Sequence, residues 1–254
     1  MKLNEEVRGF WEQEPCGTSP HIVGEAQKLT GGWFEKVEEH RYTVEPFIHS
    51  VAQFTRHHGK KVLEVGVGAG TDHLQWARAG AQCHGVDLTD AGIETTRARL
   101  AHYGFTSDLR RVDAETLPFP DGTFDVVWSW GVIHHSERPE AIVEEIRRVL
   151  RPGGKFLGMM YGRRSILAAK IWMKQALLKG RPVRSLKDVL WHHLESVGTK
   201  AYTPGELRRM FGAYRAVQVQ PLLTSYDVGE GVLAPVLRLS PDSLGFFHAI
   251  RAEK

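Results

Sequence analysis

Apolar positions along the chain recur with two periods, and the switches between them mark out the elements. Short apolar runs at residues 62–66, 82–86, 108–112, 124–129 and 155–160 have the length and bounding of strands. The run at 124–129 is almost wholly apolar, as a strand buried on both faces requires. Helical spacing fills the intervals at 71–79, 91–103 and 140–150, with Gly80 and Gly104 placed as helix stops. Strands alternating with helices predict an α/β fold around a parallel sheet with right-handed crossovers. Upstream, the spacing predicts a short helix around Phe10 and Trp11, then a turn-rich stretch through Pro15 and Cys16-Gly17-Thr18-Ser19-Pro20. A helix over 33–58 follows, with Phe34, Val37, Val44, Phe47, Ile48, Val51 and Phe54 as its apolar face.

The alternation breaks after Tyr161. Residues 165–179 read as an amphipathic helix, with Ile166, Ala169, Trp172, Met173, Ala176 and Leu177 opposing Lys170 and Lys174. Another helix is expected near 186–194, and one at 204–211, where Thr203 is a plausible N-cap and Glu206 stands where a capping box needs it. Runs at 216–222 and 246–252 alternate like two last strands. The chain therefore divides into a helical segment at 1–58, a candidate lid, and a main domain at 59–254 that carries a helical insert at about 161–202.

Charge changes this picture in one place. The net charge of +3 over 254 residues hides −7 for residues 1–150 and +10 for residues 151–254. Eight basic residues and no acidic one lie between Arg163 and Lys187. That run could receive an anionic acceptor or contact an anionic membrane surface through the amphipathic helix, or simply be the solvated face of a covering helix. Nucleic acid is the weaker partner, since no aromatics interleave with the basic run as a stacking platform would need. Two distant cysteines, Cys16 and Cys83, give no disulfide framework, and no apolar run is long enough to span a bilayer. A cytoplasmic setting is the expectation. No histidine set has metal-ligand spacing with carboxylates, so no metal is expected.

The stretch Val62-Leu63-Glu64-Val65-Gly66-Val67-Gly68-Ala69-Gly70-Thr71-Asp72 carries the chemistry. A strand, a turn of three alternating glycines and a helix N-terminus make a cradle for a nucleotide. A dinucleotide fold would place its third glycine one residue later, where Thr71 stands. Glu64, directly before the turn, would attract an ammonium and repel a pyrophosphate. Asp87 ends the second strand, placed to accept from two ribose hydroxyls. Asp113-Ala114-Glu115 follows the third strand, Leu117-Pro118-Phe119-Pro120-Asp121 precedes the fourth, and Arg151-Pro152-Gly153-Gly154-Lys155 turns into the fifth. Asp125 reads as a structural carboxylate and Cys83 as core.

This ordered set, over about residues 60–160, resembles the class I S-adenosylmethionine-dependent methyltransferases, especially the small-molecule branch that includes the ubiquinone and menaquinone C-methyltransferases. The resemblance implies a Rossmann-like seven-stranded, mostly parallel sheet of order 3-2-1-4-5-7-6, with helices on both faces and the seventh strand antiparallel. It implies S-adenosylmethionine as cofactor, with Gly66, Gly68 and Gly70 against its methionine portion, Glu64 toward its amino group and Asp87 on the ribose. Asp113 would accept from the adenine N6, Ala114 would donate its backbone N–H to N1, Leu88 would cover the adenine, and Trp130 would line the pocket beside the sulfonium.

Methyl transfer needs nucleophile, methyl and sulfur held in line, and an O–H, N–H or C–H nucleophile must also lose a proton. His134 and His135, just past the fourth strand at the carboxyl end of the sheet, are the candidate bases, and each is as readily a structural histidine or a substrate contact. Trp11 and Tyr161 are candidate acceptor contacts, although Phe10 and Trp11 could equally just pin the terminus. The expected activity is methylation of O, N or C on a small apolar or aromatic molecule. The alternatives are an RNA or protein methyltransferase using the basic insert and a cofactor-binding protein without catalysis. The cysteine count argues against arsenite as acceptor. The sequence leaves the acceptor and the oligomeric state open.

Overall fold

Seven strands form one sheet in the order β3-β2-β1-β4-β5-β7-β6 in the computed structural model, which describes residues 2–254. They are β1 Lys61–Val65, β2 Gln82–Asp87, β3 Asp108–Arg111, β4 Phe124–Trp130, β5 Leu150–Tyr161, β6 Arg215–Leu222 and β7 Phe247–Glu253. The β3-β2-β1-β4-β5 portion is parallel, and β7 runs antiparallel to both β5 and β6. The expected order and the reversed last strand are both present.

Helices cover both faces. In chain order they are α1 Lys2–Gln13, α2 Pro20–Val23, α3 Gly31–Val44, α4 Ile48–Ala52, α5 Thr71–Arg78, α6 Asp90–His102 and α7 Pro139–Val149. The later ones are α8 Ile166–Gln175, α9 Leu186–His193, α10 Pro204–Met210, α11 Ser225–Val228 and α12 Ala234–Leu237. One core cluster joins α7 and α10 to the sheet through Ile142, Ile146, Leu207 and Phe211. The opposite cluster joins α4, α8 and α9 through Ile48, Ala168 and Leu190, around the buried tryptophans Trp76 and Trp128.

Three expectations change. The helix over 33–58 is broken, because Pro46 disfavours a helical residue before it. Accordingly α3 ends at Val44, Glu45 leaves the helical region at φ −129°, ψ 58°, and α4 starts afresh at Ile48. The fifth strand begins at Leu150, earlier than expected, and absorbs the Arg151–Lys155 turn as a register shift against β4. The insert helix stops at Gln175, continues as a 3-10 turn over Leu177–Lys179, and is rotated from the expected face. Lys170 lies inside, donating to the carbonyls of Asp227 and Val228, while Ala169, Met173 and Leu177 are exposed. The capping box at α10 is present as expected, and both carboxylate oxygens of its Glu206 also accept from Arg163 Nη2, at 2.6 and 2.7 Å. Asp125 is structural, accepting from Lys61 N and pairing with Arg151.

Candidate functional site

One cavity of about 470 Å³ opens at the carboxyl ends of β1, β2, β4 and β5. Its first half is the glycine turn. Gly66 sits at φ +82°, and a Cβ there would be driven into the Val132 side chain. Gly70, at φ +73°, would bring a Cβ to 2.9 Å from Thr96 Cα. Gly68 differs: at φ +50° it has open space where a Cβ would be, so its backbone faces the cavity bare. Two buried groups of α6 clamp the turn from behind. Thr96 Oγ1 donates to Gly68 O at 3.1 Å and Arg99 Nε to Ala69 O at 2.7 Å.

Asp87 ends β2 at the cavity wall. Its Oδ2 accepts from Gly68 N at 2.9 Å, and its Oδ1 accepts from Thr89 N and Oγ1. Burial raises its pKa against the pull of those bonds. Glu64 reaches the same wall from β1, 3.0 Å from His73 Nδ1. Burial, then the nearby Asp72, pushes the Glu64 carboxyl well above the usual range, while burial takes His73 down to about 3. A carboxylate so strained by desolvation is relieved by an arriving cation. Leu88, Asp113 and Ala114 line the far end. Asp113 accepts from Asn4 Nδ2 at 2.8 Å, and Glu12 caps α6 by accepting from Asp90 N and Ala91 N. Helix α1 thus lies across this half, tied at both ends.

The second half is an aromatic chamber. Trp130, Tyr161, Tyr226, Phe246 and Phe247 line it, together with Leu167 and Ile171 of α8 and Trp11 of α1. Tyr161 stacks on Phe246, and Trp130 stacks on Trp128. Glu45, dropped from the helical path at the Pro46 break, accepts from Trp130 Nε1 at 2.6 Å. Arg41 pairs with Asp72 at 2.8 Å and lies 3.5 Å from Glu45. Burial would lower the Arg41 pKa, but these carboxylates outweigh it and hold the charge.

The two candidate histidines part company. His135 lines the cavity under Trp11, and its Nδ1 lies 3.0 Å from both Ser196 Oγ and Thr199 Oγ1. Thr199 spends its own proton on Ser196 O, whereas the Ser196 hydroxyl can either accept from Nδ1–H or donate to Nδ1, so this contact sets the tautomer of the ring. That Nε2 is buried and makes no hydrogen bond among the described residues. His134 is fully buried behind Tyr161, outside the cavity lining, with neither ring nitrogen hydrogen-bonded among the described residues. Burial, then His135, drives its pKa well below the ordinary value.

The cavity therefore brings together Trp11, Glu64, Gly66, Gly68, Asp87, Leu88, Asp113, Ala114, Trp130, His135 and Tyr161. Gly70 supports from the loop, and His134 stands behind. Pattern reasoning missed Asn4, Arg41, Glu45, Asp72 and Glu195. Only Pro46 and the acidic residue beside it signalled any of these. Among the described residues no group of three or more His, Cys, Asp or Glu is placed to hold a metal ion.

Residues 63–158 match the family described as a methyltransferase domain. Over 125 residues the chain is 38% identical to a fatty-acid O-methyltransferase of Mycolicibacterium smegmatis, covering 48% of this chain and 44% of that one. It is 31% identical over 145 residues to a ubiquinone/menaquinone biosynthesis C-methyltransferase of Cupriavidus taiwanensis, covering 56% of each. The chain thus spans about half the length of the curated relatives it matches. In fold it is similar to geranyl diphosphate C-methyltransferase from Streptomyces coelicolor, with a TM-score of 0.62 and 14% identity over 100% of this chain and 97% of that one. The matched stretch holds the glycine turn, Asp87 and Asp113, the same residues that line the first half of the cavity, and over it the chain is similar to methyltransferases of small molecules.

Proposed function

We propose that the protein transfers the methyl group of S-adenosylmethionine to an O, N or C nucleophile of a small apolar or aromatic molecule. One observation carries this reading: the glycine cradle and the aromatic chamber are two halves of a single cavity. The residues present fit the cofactor. The bare Gly68 backbone leaves room for its amino-acid portion, Glu64 needs a cation, and Asp87 and Asp113 keep lone pairs for the ribose and adenine. When bound, the cofactor supplies an electrophilic methyl on a sulfonium. The chain's part is to hold the acceptor against the Trp130 side of the chamber, to exclude water, and to take a proton. His135, whose buried Nε2 makes no hydrogen bond among the described residues, is the base; Trp11 and Tyr161 contact the acceptor. Segment 1–58 serves as the lid through α1. Incubation with methyl-labelled S-adenosylmethionine and a panel of apolar and aromatic metabolites tests the reading: label should appear on a small acceptor, and binding without transfer to any of them would argue for a non-catalytic protein.

The insert adds a membrane contact in an otherwise cytoplasmic setting. No helix among the described residues is long and apolar enough to cross a membrane. Yet Met173, Leu177, Leu178 and Val183 are exposed beside the exposed Lys174, Lys179 and Arg181, and α8 turns its other face to the cavity. Apolar side chains among cations match an anionic lipid interface. Sedimentation with vesicles containing phosphatidylglycerol should carry the protein down, and a Leu178→Ser/Val183→Ser variant should stay in solution. Equal behaviour of the two proteins would remove the membrane from the account.

A further inference from the structure

The acceptor chamber has a charge balance that selects its occupant. Six carboxylates line the whole cavity: Glu45, Glu64, Asp72, Asp87, Asp113 and Glu195. Among the described lining residues Arg41 is the one guanidinium, no lysine lines it, and Arg41 is already committed to Asp72 and Glu45. With Glu64 driven toward its neutral acid by burial and Arg41 shared between Asp72 and Glu45, the acceptor end has no cation to spare for an anion. An acceptor carboxylate or phosphate placed here would face Glu45 and Glu195 with no free cation to pair with.

Glu195 sharpens the choice. It reaches in from the segment after α9, with its side chain 35% exposed. Tyr161 Oη donates to its Oε2 at 2.9 Å, and Oε1 makes no hydrogen bond among the described residues. The same Oε2 lies 3.4 Å from His135 Nε2. That nitrogen is buried and makes no hydrogen bond among the described residues. With the ring hydrogen on Nδ1, two acceptor atoms face each other across this gap with no proton between them. A phenol or alcohol has one proton to offer both. An ammonium has three, and the surrounding faces of Trp130, Tyr161, Tyr226 and Phe247 suit a cation further.

We propose that Glu195 is the acceptor-binding carboxylate of this chamber and that its ligand is the amine of an apolar or aromatic molecule, an inference that rests on the methyltransferase reading above. Bound as an ammonium, the amine donates to Glu195 and to His135 Nε2. It then passes one proton to that nitrogen and is left neutral, with its lone pair free. The imidazolium so formed stays paired with Glu195. Mutual repulsion agrees with this: the Tyr161 phenol is held protonated by burial and then by Glu195, and Glu45 is raised by burial and by Glu195 among others.

The test is calorimetry in the presence of S-adenosylhomocysteine, on matched amine, alcohol and carboxylate sets built on phenylethyl, indolylethyl and decyl frames. The amine should bind the wild type about tenfold or more tightly than the carboxylate of at least one frame. Glu195→Gln should remove that preference and keep its S-adenosylhomocysteine affinity, which also shows that the variant is folded; Glu195→Asp should restore part of it. Alcohols or carboxylates binding as tightly as the amines, no amine binding on any frame, or an unchanged preference in Glu195→Gln would overturn the assignment. Absence of S-adenosylhomocysteine binding to the wild type would overturn the cofactor reading beneath it, a distinct result.

Discussion

Around the cofactor cradle the chain works mostly with backbone. Gly66, Gly68 and Gly70 set the turn within five residues, and α6 and Asp87 lock it from behind. Around the acceptor chamber it works with side chains from separated segments: Trp11 of α1, Arg41 of α3, Glu45 at the Pro46 break, Tyr161 of β5, Glu195 of the insert and Phe247 of β7. The first half has one solution for one ligand, so it can be written as a short motif. The second is assembled at long range, and each wall can be rebuilt without touching the cradle. The difference teaches where tolerance should lie. Changes in the cradle should abolish cofactor binding, and changes in the chamber should alter the acceptor and leave the cofactor alone.

The largest break in that comparison comes from Gly66→Ala. The new Cβ meets Val132 in a conformation that L-residues rarely adopt, so the variant should lose about 3 kcal/mol of stability and most cofactor affinity. Chemical denaturation and calorimetry check both parts; native-like values would mean that the turn has more freedom than its geometry allows. Next, Asp87→Ala should weaken S-adenosylhomocysteine binding by about 1–3 kcal/mol through lost charge-assisted bonds. Unchanged affinity would sink the ribose role of Asp87.

His134 and His135 test the line between chemistry and packing. Burying an imidazole with neither nitrogen bonded is costly, so His134→Phe should stabilise the protein by about 1 kcal/mol at pH 7.5 and leave turnover intact. The pH sign follows from its depressed pKa. In the folded state the ring refuses a proton that the unfolded chain accepts below 6.5. The wild type therefore loses, as pH falls from there, a stability that it has in full above 6.5. The advantage of the variant should grow by up to about 1.4 kcal/mol per pH unit below 6.5. Loss of turnover with the fold intact would instead put His134 in the reaction. The smallest effect is Tyr161→Phe, which removes the hydroxyl that donates to Glu195. Acceptor affinity should fall by about 0.5–1.5 kcal/mol with the cofactor constant unmoved, and a shift in the cofactor constant would blur the two halves.

The same contrast explains what the sequence made legible. The alternation of strands and helices, the glycine turn and the strand-end acids follow from local patterns with a fixed physical cause, the strand order and the reversed last strand come with the family resemblance, and all stand in the structure. Pro46 was readable too, but the apolar spacing on either side masked it, and the single helix over 33–58 hid how Glu45 enters the cavity. The face of α8 was misjudged because Lys170 finds its partners in carbonyls of α11, nearly sixty residues on in the chain. Nothing near Asn4 or Glu195 announces that they meet Asp113 and Tyr161 across the fold. Such contacts depend on where the sheet puts its ends.

S-adenosylhomocysteine titrated calorimetrically into wild type, Gly66→Ala and Glu195→Gln tests the central claim most directly. The account predicts binding at one site per chain for the wild type, the same affinity for Glu195→Gln, and little or none for Gly66→Ala. A wild type that fails to bind, or a Gly66→Ala variant that binds as well as the wild type, would contradict it.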